Sequence, residues 1–89
     1  MTSPTPAASA LNYYGKMATS DLTNRIGAYY YQERIHGGMT GSQRSCARAI
    51  SAVLTSRIPS DGLGYVENWD ERAALRDGAR YCKRIAPYL

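Results

Sequence analysis

The stretch Gly37-Gly38-Met39-Thr40-Gly41-Ser42, followed at once by Gln43-Arg44, carries the residue types of an anion site. Glycines let the chain bend sharply, amides at the start of a helix are free to donate, and a guanidinium nearby supplies charge; phosphate binding uses the same three things. Gly38, Thr40, Gly41 and Ser42, with Arg44 and Arg48, therefore form a candidate anion or nucleic-acid site. The spacing is not that of a Walker loop, because no Gly-Lys-Ser/Thr follows. The competing reading is a turn leading into a capping box, in which Thr40 accepts from a main-chain amide and Gln43 reaches back.

Two nucleic-acid motifs are approached and missed. Gly38 to Gly41 spell the GxxG with which KH domains clamp a nucleic-acid backbone, but that fold also needs a three-stranded sheet, which this chain does not offer. Ser42 to Ser51 have the small and apolar spacing of the first helix and turn of a helix-turn-helix. Downstream, Arg57 falls where that motif needs a buried residue, and Pro59 breaks the second helix.

A different chemistry is carried by tyrosine and arginine. The chain has eight tyrosines and no phenylalanine, with rings clustered at Tyr13-Tyr14 and Tyr29-Tyr30-Tyr31 and alone at Tyr65, Tyr81 and Tyr88. Phe would fill a core without a hydroxyl to satisfy, whereas Tyr, apolar in body and polar at the tip, suits an interface. Three consecutive rings on a helix span roughly 200° of its circumference, so they cannot all face one neighbour. Among the bases, nine are Arg, set against only Lys16 and Lys83, and the planar fork of arginine suits carboxylate, phosphate and aromatic faces. A GC-rich coding sequence favours arginine over lysine and disfavours phenylalanine, yet gives no reason for tyrosines to cluster. Tyr, Trp and Arg together carry most interface hot spots, which makes Tyr29, Tyr30, Tyr31 and Arg34, with Arg76, Arg80 and Arg84, the candidate partner-binding residues and Trp69 a further anchor.

Other chemistry is excluded by what is missing from the pattern. His36 is the only histidine and has no acid or nucleophile at a spacing that would make a catalytic pair, so no enzyme is expected. Cys46 and Cys82 lack Cys-x-x-Cys spacing, which argues against zinc; they fall on apolar stripes and read as buried, reduced thiols. No cofactor is expected. No run approaches the ~20 apolar residues of a membrane span, and Met1 to Ala10 lack a charged start and an apolar middle, so the expectation is a cytoplasmic protein without a membrane partner. A net charge of +4 leaves nucleic acid or a nucleotide as the second partner class after protein, bound through the loop from Gly37 to Ser42 and the arginine faces of the third and fourth helices.

The elements that must position these residues are helical. Residues 1–9 are uncharged Ser, Thr, Pro and Ala and read as a flexible arm ahead of one domain over 10–89. Four helices are predicted, about 6–17, 21–36, 41–58 and 69–85, giving an all-α bundle of three to four helices. Thr5-Pro6 and Thr19-Ser20-Asp21 are expected caps, Gly37-Gly38 a stop, and Asn68 to Glu71 a second capping box. Leu63 to Val66 reads as a brief extended stretch. On the second helix, Leu22, Ile26 and Tyr29 or Tyr30 make one apolar row and Ala28, Tyr31 and Ile35 another, as if it touched two neighbours. Cys46, Ile50, Val53, Leu54 and Ile58 form the inner stripe of the third, with Arg44, Arg48, Ser51 and Thr55 opposite. Ala74, Leu75, Gly78, Tyr81, Cys82 and Ile85 form that of the fourth, with Arg72, Arg76, Arg80, Lys83 and Arg84 outside. The core is thin in Ile, Leu and Val, so self-association would add stability. Short binding proteins of this type, including those encoded by phages and mobile elements, serve as inhibitors or adaptors.

Overall fold

The computed structural model describes residues 5–89, which form four α-helices and no strand. These are α1 (Ala8–Gly15), α2 (Thr19–Ile35), α3 (Gly41–Arg57) and α4 (Trp69–Ile85), with 3₁₀ turns at Leu63–Tyr65 and Ala86–Tyr88. The fold is the small all-α bundle expected. Local signals set most boundaries. Gly37 and Gly38 adopt φ of 84° and 122°, a region closed to most side chains, and end α2. The Gly38 amide turns back to the Gln32 carbonyl at 3.2 Å. Thr40 and Gln43 make the capping box, with the Gln43 amide donating to Thr40 Oγ1 at 3.1 Å and the Thr40 amide to Gln43 Oε1 at 2.8 Å.

Several local features depart from the sequence reading, among them the end of α1, which falls at Gly15 rather than residue 17. Of the arm expected over residues 1–9, the first four residues lie outside the described ones, while Ala8 and Ser9 already belong to α1. Its N-cap is Ala7, not Thr5. Helix α2 starts at Thr19 behind Ala18, without a side-chain cap, because the Thr19 hydroxyl is engaged by α3 and α4 instead. Asn68 does cap α4, accepting from the Glu71 amide at 2.9 Å, but the Glu71 carboxylate bonds Thr19 rather than closing a box. Leu63 to Tyr65 is a 3₁₀ turn rather than extended chain.

Successive helices alternate in direction, so α2 and α4 run the same way. Thr19 meets Glu71, Thr23 donates to the Ala74 carbonyl at 2.8 Å, and Gly27 lies against the Tyr81 ring. Two glycines permit this approach: a Cβ on Gly27 would sit 3.2 Å from Tyr81, and one on Gly78 only 2.8 Å from Thr23 Oγ1. Helix α3 runs against both, with Leu54 packed on Gly78 and Arg57 beside Thr19, and α1 lies along α3. Leu22, Ile26, Ile50, Leu54, Leu75 and Ile85 are fully buried where α2, α3 and α4 meet. Each contributes about 1.5–3 kcal/mol of burial.

Helix α2 does touch two neighbours, though not through the two apolar rows. Leu22, Ile26 and Tyr29 are on its inner side, whereas small and polar Thr23 and Gly27 make the contact with α4. Ala28, Tyr31 and Ile35 are exposed.

Candidate docking surface

At the C-terminal half of α2, Tyr30, Tyr31, Arg34 and Ile35 line a shallow depression that Arg84 of α4 closes from the other side. Tyr31 is 52% exposed and Ile35 66%. They lie one helical turn apart, so ring and aliphatic side chain form a continuous strip. Arg34 reaches back over Tyr30, its Nη1 donating to the phenol oxygen at 3.2 Å and its guanidinium 5.9 Å from the ring centroid. Tyr30 in turn stands 6.1 Å from Tyr31 and 6.2 Å from the half-buried Tyr81, centroid to centroid. The ring under Arg34 is thus fixed by packing, which presents the guanidinium at low entropic cost.

Of the seven candidate partner-binding residues, four are brought together here: Tyr30, Tyr31, Arg34 and Arg84. Arg76 and Arg80 lie further up the exposed face of α4, converging on Asp77 at 3.9 and 3.3 Å. Tyr29 is a correction. It turns inward to pack on the core beside Cys46, and burial followed by the neighbouring thiol raises its pKa. Tyr14 shares that thiol; its hydrogen bond with Cys46, then burial, push its pKa up to about 12. Ile35 is the residue missed, because its place in an apolar row read as core.

The loop over Gly38, Thr40, Gly41 and Ser42 is occupied by the protein's own groups. The Met39 amide donates to Glu33 Oε2 at 2.9 Å, and the Thr40 and Gln43 amides close the capping box. The Glu33 carboxylate thus takes up the amide just before the box, while the box takes up those of Thr40 and Gln43. Arg44 and Arg48 were expected on the solvent side of α3, but are half-buried and turned to main-chain oxygens near the end of the chain. Arg44 Nε donates to Tyr88 O at 3.0 Å and its Nη2 to Met39 O at 3.4 Å; Arg48 grips Leu89 O through Nε and Nη2 at 3.0 and 2.7 Å. Any ligand of this site would have to displace these bonds.

Trp69 opens α4 at 75% exposure, with the Arg72 guanidinium 4.7 Å from its ring centroid. That arginine is held on Val66 O at 3.0 and 2.6 Å, so Trp69 rests on a fixed cation and does not staple the bundle. The cysteines are free and half-buried rather than fully buried. Burial pushes the Cys82 thiol up, against the pull of a hydrogen bond with Ser51, and a thiol so held is a poor nucleophile. Among the described residues no three of His, Cys, Asp and Glu gather as a metal site, and no helix is long and apolar enough to cross a membrane. No protein-family model, curated protein or solved structure matches the chain.

Proposed function

We propose that this is a small non-enzymatic binding protein that docks on a larger protein through the α2–α4 surface and acts as an inhibitor or adaptor. The observation that carries the reading is the exposure of Tyr31 and Ile35 between the arginines Arg34 and Arg84. An isolated exposed apolar side chain means little, but an aliphatic and aromatic strip framed by guanidinium groups has the make-up of an interface centre. The nucleic-acid reading has less support at the loop, where the Met39, Thr40 and Gln43 amides and the side chains of Arg44 and Arg48 are engaged internally, and rests instead on the arginine face of α4.

Affinity capture from the native host tests the proposal. Immobilised wild type should retain one stoichiometric protein insensitive to nuclease, and Tyr31→Ser should lose it with the helical circular-dichroism signal unchanged. A mixed DNA or RNA probe shifted at ~150 mM salt, with an affinity falling steeply as salt rises, would instead favour nucleic acid.

A further inference from the structure

Resting on that docking reading, we infer that the partner presents an acidic amphipathic helix to this surface: an aliphatic row laid along α2, flanked by carboxylates that reach Arg34 and Arg84. Shape supplies the first part. Ala28, Tyr31 and Ile35 are exposed at helical spacing over about 10 Å of α2, and α4 runs beside them, so the receiving surface is a furrow between two helices that point the same way. A third helix fits such a furrow by placing apolar side chains at i, i+3 or i+4, and i+7.

Charge supplies the second. Arg34 and Arg84 line the depression, and Arg80 stands one turn before Arg84. The carboxylates on these two helix halves are already engaged: Glu33 holds the Met39 amide and Asp77 lies between Arg76 and Arg80. The surface therefore sets an exposed apolar strip on α2 beside guanidinium groups from both helices. A second copy using the same surface about a two-fold axis would bring these arginines against their own counterparts, which is unfavourable. A polyphosphate would leave the apolar strip without a partner, whereas an acidic amphipathic helix satisfies strip and arginines together.

The experiment uses a displayed library of helical peptides with one face randomised, selected on the full-length protein at ~150 mM salt and counter-selected on Ile35→Asp. Enriched peptides should carry Leu, Ile or Met at i, i+3/i+4 and i+7, with Asp or Glu on both flanks. The best of them should bind Ile35→Asp at least about tenfold more weakly and Arg84→Glu about fivefold more weakly. Replacing its flanking Glu by Lys should restore binding to Arg84→Glu. Ile35 and Arg84 are exposed, so circular dichroism of both variants should match wild type. Enriched peptides that depend on Ile35 but are neutral or basic would overturn the acidic helix and leave the docking reading standing. Selection yielding no peptide that depends on Ile35 would overturn both. Dimerisation of wild type by sedimentation that Ile35→Asp abolishes would make the occupant a second copy. Loss of a DNA shift in both variants would make it nucleic acid.

Discussion

The two ends of helix α2 put the same kinds of residue to opposite uses. At its start, Thr19 is buried and bonds Glu71 of α4 while accepting from Arg57 Nη1 at 2.8 Å, and Arg57 Nη2 also holds the Gly15 carbonyl at 2.9 Å. A hydroxyl bridges a cation and a carboxylate there, and all four helices are tied at one point. At its end, Tyr31 and Ile35 face solvent, and no ion pair among the described residues reaches Arg34 or Arg84. Being an arginine does not decide whether a side chain ties the helices, as Arg57 does, or faces solvent, as Arg34 and Arg84 do. What decides is whether an acceptor from another element lies within reach.

The comparison breaks first at Arg57. Replacing it with Met should cost about 2–3 kcal/mol, since charge-assisted bonds to a buried hydroxyl and a helix-end carbonyl are both lost. An unchanged urea midpoint would mean the tied end contributes nothing. Midway along the pair, Gly78→Ala should cost about 1–2 kcal/mol, because the added methyl meets the stiff Thr23 side chain and Leu54, outweighing the gain in helix propensity. A raised melting temperature in that variant would mean that α4 can move away.

Tyr14 separates the inner from the outer side of the open end by pH. Tyrosine is neutral when protonated, and the folded-state value of about 12 lies above the ordinary 10.0. Its stabilisation is therefore complete below pH ~10 and lost as pH rises through about 12, and is on the order of 1 kcal/mol. Stability measured in urea from pH 9 to 12 should fall in this way, and Tyr14→Phe should reduce the slope, Tyr29 and Cys82 keeping the remainder because their pKa values are raised too. The smallest effect belongs to the open end itself: Ile35→Asp should change stability by no more than about 0.5 kcal/mol, read from the same urea midpoint. A larger loss would place Ile35 in the core after all.

The elements were legible in the sequence where a signal acted locally. Gly37-Gly38, the Thr40 and Gln43 box, Asn68 and Pro59 each act within a few residues, and the helix ends they mark fall where expected or within a residue. Thr19 was misread as part of a cap because its true partners, Arg57 and Glu71, lie 38 and 52 positions away. Arg44 and Arg48 were misplaced on the solvent side for the same reason, their acceptors being 44 and 41 positions on. The row Ala28, Tyr31 and Ile35 looked like core because periodicity reports which residues share a face, not what lies opposite it. Here the face turned to α4 carries Thr23 and Gly27, whose small size is the point and whose polarity hid them. Four of the seven candidate contact residues nonetheless gather around one depression, since three neighbours on α2 needed only the α2–α4 pairing to bring Arg84 beside them.

The helices that form the furrow are separated in the chain by the whole of α3, and Thr23 is 51 positions from its acceptor on α4. Closing a loop of that length costs chain entropy before the contact can form. No excised peptide of α2 can reproduce the surface, because one of its walls belongs to α4. A partner that grips both helices would hold together two elements separated by the whole of α3, and occupancy of the furrow and resistance to proteolysis should rise together.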